Sequence, residues 1–364
     1  MMRSLAREFL TDEYPERTLR AMAADERGYT PELWREMAEM SLMGLGIPEA
    51  YGGVGDFLDL VVVLEEMGRA CFLGPYFATT VLGASTIVEA GSEAQKKEYL
   101  TKIAEGKSIV TLALAETTAS YTPEGIQLTA AVYDDELSLT GTKLFVPDAR
   151  VADYIITAAR TDESTKDGQG ITLVIVDINM VGLDIEPLRT ISGEKLCRVA
   201  CDDVRVPRSD VLGEIGGGWP HIESVLQKAN IARCAEMVGL AQQALDMTLE
   251  YARERIAFGH PIGAFQAVQH RCADMLVDVD GARFATYQAA WRLSQGLPAA
   301  REAAIAGAWA GRACQRVMQA AHQVHGAIGF TEDHILHYYT KKAAAAAASF
   351  GDADFQLKKL AGML

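Results

Sequence analysis

The hydrophobic pattern of this 364-residue chain changes period twice. Up to Gly106, apolar residues recur three or four apart, which predicts amphipathic helices. Thr30 is placed to cap one of them, with Pro31 in its first turn and Trp34, Met37 and Met40 along one side. The turn-rich stretch GLGIPEAYGGVG breaks the series. DFLDLVVVLEEMGRACF then reads as a buried helix and SEAQKKEYLTKIAEG as an amphipathic one stopped by Gly106.

From Lys107 the runs become short and β-branched, at 108–114, 126–133, 136–139, 143–146, 154–159, 171–176 and 199–206. No helix-length segment separates them, so an antiparallel β domain ending near Leu212 is expected. After the GGGW entry at Gly216 the helical period returns in four long segments, ending near Arg255, at 265–295, at 298–325 and from 332 onward. The expected fold is mainly α with a middle antiparallel β domain. It comprises an N-terminal helical domain (1–107), a β-barrel-like domain (108–213) and a C-terminal four-helix bundle (214–364).

Charge and composition remove several function classes. The net charge of −15 opposes a nucleic-acid surface, and no apolar run approaches a membrane span. The opening MMRSLAREFLTDEY lacks the apolar core of a secretory signal, so a cytoplasmic location is expected. Of the six cysteines only Cys197 and Cys201 lie close, which suggests reduced thiols rather than a zinc site. The pairs His322/His325 and His334/His337 lack a third ligand, so no metal is expected, and no serine sits in a nucleophile elbow.

The densest chemistry lies at 253–275, RERIAFGHPIGAFQAVQHRCADM. A guanidinium matches the fork of phosphate oxygens, and Gly259 permits close backbone approach. Together with IPEAYGG at 47–53, QVHGAIGFTEDH at 323–334 and the order of the three segments, this stretch resembles the acyl-CoA dehydrogenase family over essentially the whole chain. The resemblance implies FAD-dependent α,β-dehydrogenation of an acyl-CoA, electron transfer to an electron-transfer flavoprotein, and a tetramer built as a dimer of dimers. By that likeness Arg255 meets the FAD pyrophosphate, Phe258 lies against it and Gln266 bonds near the adenine. Gln323, Gly326, Ala327 and Gly329 match the loop that cradles the adenosine half, with Gly326-Ala327 where the family has a Gly pair. Both sets serve the flavin of a neighbouring subunit.

Elsewhere the chain departs from the family pattern. The family removes the α-proton with a carboxylate, usually a Glu just before a Gly in the last bundle segment. Here Phe350 precedes Gly351. The alternative position, after the GGGW entry, holds Ala229, followed by Asn230 instead of Arg. Glu236 and Asp352 remain as candidate bases. Glu236 is also readable as a buried or interface partner of an Arg such as Arg233, and Asp352 as a loop or capping carboxylate. On the side facing a chain's own flavin ring, Phe145-Val146-Pro147 replaces Trp-x-Thr and Ala115-Glu116-Thr117 replaces Thr-Glu-Pro, leaving Phe145 as the expected ring neighbour. Three readings follow. The chain is a self-sufficient dehydrogenase in a homotetramer, or a non-catalytic subunit completing the flavin site of a related Glu-bearing chain in a heterotetramer. The third is a reduced-flavin monooxygenase of the same architecture, against which the intact adenosine loop weighs.

Overall fold

Thr30 Oγ1 accepts a hydrogen bond from Leu33 N at 3.2 Å, and Asp56 and Asp59 form a reciprocal capping box, so both helix starts follow from local chemistry. The computed structural model describes residues 2–162 and 168–363. Its N-terminal part comprises α1 (Met2–Glu13), α2 (Glu16–Ala24), α3 (Pro31–Glu39) and α4 (Phe57–Arg69). A π-register segment, Phe77–Ala84, continues as α5 (Ser85–Ala90). Then α6 (Glu93–Gln95) runs through Lys96–Leu100 into α7 (Thr101–Ala104).

The strands are β1 (Val110–Ala113), β2 (Thr129–Val132), β3 (Glu136–Pro147), β4 (Tyr154–Arg160), β5 (Ile171–Asp177), β6 (Leu183–Pro187), β7 (Leu196–Pro207) and β8 (Val211–Leu212). They pair in the order β6-β7-β3-β2-β4-β5-β8, with β1 added on β4. The sheet is not wholly antiparallel as expected. β1 runs parallel to β4 from Val110↔Tyr154 to Ala113↔Thr157, and β2 meets β4 in parallel at Thr129↔Arg160. The long excursion through β2 and β3 gives the chain room for that crossover. The runs at 136–139 and 143–146 belong to one bulged strand, β3.

The bundle consists of α8 (Trp219–Glu254), α9 (Gln266–Ser294), α10 (Ala300–His325), α11 (Leu336–Ala348) and α12 (Ala353–Ala361). The fourth long helix is split because Phe350 and Gly351 take φ of +57° and +94° and end α11. Between α8 and α9 a short arm pairs β9 (Ile256–Ala257) with β10 (His260–Pro261).

One apolar core runs from Ala6 on α1 through β1, β4 and β5 to Ala347 on α11, and a smaller one fills the sheet around Leu137, Leu139 and Val204. α4 and α8 meet at backbone distance. A Cβ on Gly68 would stand 2.1 Å from the Glu236 carbonyl oxygen, and one on Gly239 1.9 Å from that of Glu65. The buried Glu65 carboxylate also ties α1 to α9, accepting from Arg3 at 3.2 Å, Arg283 at 3.1 Å and the Tyr287 hydroxyl at 2.7 Å. The core therefore fixes α8, which carries the arm, against both halves of the chain.

Candidate active site

The arm is a two-residue hairpin whose turn, Phe258-Gly259, takes φ of +53° and +83°, the left-handed pair that such turns need. Gly259 suits its position, whereas Phe258 is strained there and is also 93% exposed. An aromatic ring that costs both strain and solvation marks a contact surface. Arg255 and Gln266, at the two ends of the arm, are exposed as well. The three expected contacts thus stand on one projection anchored by α8 and α9.

A second site lies at the junction of α10 and α11, where a cleft of about 990 Å³ is lined by Gln323, Gly326, Ala327, His322, Phe330 and Thr340, among others. Gly326 combines φ +66° with ψ −141°, a conformation reserved for glycine, and a Cβ there would meet no atom within 4 Å. Its bare backbone faces open space. Gly329 is buried behind that wall, where a Cβ would press on His325 at 3.1 Å and on His322 at 3.2 Å. Its role is to pack the turn. His322 stacks on Phe330 with centroids 4.4 Å apart and bonds Thr340 Oγ1 at 2.7 Å. Burial lowers the basicity of His322. Among the described residues no cluster of His, Cys, Asp and Glu is placed to hold a metal ion.

The third region is an inner cavity of about 320 Å³ under β1, β3 and the end of α11. Phe145 reaches its rim because β3 slips register against β7 between Lys143 and Val146, turning the ring outward at φ +55° and 50% exposure. The Pro147 carbonyl already accepts from Thr111 Oγ1 at 2.7 Å, and proline has no N–H to offer. Glu116 is committed elsewhere, accepting from Lys143 Nζ at 2.7 Å and from the backbone of Gln127 and Leu128. Burial pulls Lys143 down to about 8.

Beside the cavity sits a charged cluster. Arg233 donates to Glu236 at 2.6 Å and to Glu194 at 3.1 Å, and its guanidinium lies 4.1 Å from the centre of the Phe77 ring. Lys342 Nζ stands 3.6 Å from Glu236 and donates to the Phe72 carbonyl. Asp148 is buried next to them, and burial reinforced by the Glu194 charge pushes its carboxyl up to about 7. Glu236 is therefore held by two cations around a void of only about 40 Å³ and does not line the inner cavity. Asp352 caps α12 by accepting from Phe355 N at 2.8 Å and lies outside the cavity too. Phe350 is the residue that enters it, stacking on Phe77 at 5.7 Å and leaning on Tyr121 at 5.8 Å. Tyr121, Phe77 and Glu194 are cavity or cluster residues with no signal in the sequence, because each comes from a different element.

Family models cover nearly all of the chain. The acyl-CoA dehydrogenase N-terminal domain matches residues 1–107, the middle domain 111–204 and the C-terminal domain 216–364. The chain belongs to the acyl-CoA dehydrogenase family. A probable acyl-CoA dehydrogenase, YngJ of Bacillus subtilis, is 32% identical over 100% of this chain and 97% of its own length. Butyryl-CoA dehydrogenase from Megasphaera elsdenii superposes with a TM-score of 0.92 at 28% identity, covering 100% of this chain and 97% of that one. The ChsE4–ChsE5 complex from Mycobacterium tuberculosis contains a chain with a TM-score of 0.90 and 29% identity, covering 99% and 95%. This acyl-CoA dehydrogenase family member is accordingly an oxidoreductase with the family fold.

Set against a flavin dinucleotide, the residues divide. The open glycine backbone at Gly326 and the cation at Arg255 fit the adenosine and phosphate half. The Pro147 wall, with its carbonyl occupied and no N–H, does not fit the hydrogen-bonding edge of a flavin ring.

Proposed function

We propose that this chain is a subunit of a FAD-dependent acyl-CoA dehydrogenase assembly, oxidising an acyl-CoA thioester and passing electrons to an electron-transfer flavoprotein. The reaction removes a proton from Cα and a hydride from Cβ, and bound FAD supplies the hydride acceptor. The observation that carries this reading is the arm and cleft pair. Arg255, Phe258 and Gln266 project from one surface, and Gln323, Gly326 and Ala327 line another with bare backbone exposed. In their family roles Arg255 pairs with phosphate oxygens, Phe258 shields them from water, and the cleft receives the adenosine half belonging to a neighbouring subunit. Gly329 keeps the turn tight behind that cleft. The test is direct. The purified assembly should carry flavin absorbance that bleaches when acyl-CoA is added without oxygen, and an assembly that never binds flavin sinks the proposal.

A specific observation favours the second reading, in which the neighbour is a different, base-bearing chain. Phe350 stands in the usual base position, and Glu236 and Asp352 are both committed elsewhere. In that case this chain alone gives little flavin and no turnover, and co-expression with the related chain restores both. A heterotetramer follows from this reading and a homotetramer from the first, which the mass of the purified complex distinguishes.

A further inference from the structure

Two cavities meet at the end of α11. The outer one, about 210 Å³, lies between α8, α10, α12 and the loop at 121–123, and it opens at the exposed Glu223. The inner one, about 320 Å³, opens on the opposite side at Phe145. Tyr121 and Phe350 line both, and no other described residue does. Their rings are 5.8 Å apart, within aromatic contact distance, so no alkyl chain passes between them.

The Phe350 side of this wall is held against a backbone penalty. Its φ of +57° is unfavourable for a bulky L-residue. Several contacts keep it there. Gln356 Nε2 donates to its carbonyl at 3.1 Å, its ring stacks on Phe77 at 5.7 Å, and the Arg233 guanidinium lies 5.8 Å from its centre. The Tyr121 hydroxyl rests against its backbone. Arg233 is itself pinned by Glu194 and Glu236. A strained aromatic so fixed is a built feature, not a collapsed side chain.

We infer that Tyr121 and Phe350 form an aromatic partition that closes this chain's own acyl channel. Acyl-CoA can reach the outer cavity of this subunit only as far as its pantetheine arm, and the acyl group oxidised by the assembly is held by the neighbouring chain. The inference rests on the second reading above and names the residues that make this subunit's site refuse the acyl group.

Calorimetric titration of the full chain with CoA and with S-octyl-CoA, a thioether that cannot be dehydrogenated, tests it. The wild-type chain should bind both within about twofold, or neither. The double variant Tyr121→Ala/Phe350→Gly, in which glycine also relieves the positive φ, should bind S-octyl-CoA at least about tenfold more tightly than CoA, since burying two methylenes already gives that factor. A wild-type chain that prefers S-octyl-CoA tenfold overturns the partition. So does a variant with a wild-type circular dichroism spectrum and no such preference, whether or not it binds CoA. Should the double variant not fold, either single variant is read by the same criterion. Flavin content plays no part in this comparison, so failure of the flavin proposal leaves a separate signature.

Discussion

Glu236 and Asp148 are the residues whose behaviour most directly separates structural from catalytic roles. Glu236 balances Arg233 and Lys342, and Lys342 has no other carboxylate within ion-pair distance among the described residues. Glu236→Gln should therefore cost about 3 kcal/mol in urea denaturation, because it strands a buried cation. A variant of full stability that lost turnover would instead make Glu236 the base. Asp148 holds a proton in the folded chain at pH values where the unfolded chain has lost it, since burial raises its carboxyl to about 7. Its contribution to stability is complete below the ordinary Asp range and declines from about pH 4 to 7. Asp148→Asn, which also suits the φ of +53° there, should stabilise the protein more at pH 8 than at pH 5, by on the order of 2 kcal/mol. Thermal melts at the two pH values measure that difference.

At the level of elements, the decisive contact is the crossing of α4 and α8, where Gly68 and Gly239 let two helix backbones touch. Alanine at Gly239 would overlap the Glu65 carbonyl and part the helices, so Gly239→Ala should lower the denaturation midpoint by the equivalent of about 3 kcal/mol or more. The helices themselves were legible in the sequence, since a buried stripe imposes a period and Thr30 caps through its own side chain. The strands were legible where both faces are apolar, as in β5. β6 was missed because it is an edge strand without a buried residue, and β8 because two residues carry no period. The parallel placement of β1 depends on which strand it finds, which no local pattern encodes. The same limit applies to the site. The arm and the cleft are contiguous in sequence and were readable as motifs, whereas the aromatic wall joins Phe77, Tyr121 and Phe350 from three distant segments.

For the whole molecule, the exposed apolar residues mark the faces open to the proposed assembly. Phe258 is 93% exposed, and Phe284 at 71% and Val277 at 67% extend the apolar surface along α9. Arg255 is exposed and outside the core, so Arg255→Ala should leave the melting temperature unchanged while weakening flavin retention by the assembly about tenfold or more. Absorbance per subunit after gel filtration reads both halves of that prediction. The larger core also has a bearing on how such an assembly is made. Tyr339 on α11 donates to the Arg69 carbonyl at 2.9 Å, and Lys342 to that of Phe72, so the N-terminal helices are finished only by residues translated 270 positions later. The arm emerges from the ribosome before its foundation is complete. For the heteromer proposed above, partner choice then falls to finished chains in free solution, and the relative abundance of the two polypeptides, rather than the order of their synthesis, decides which complex accumulates.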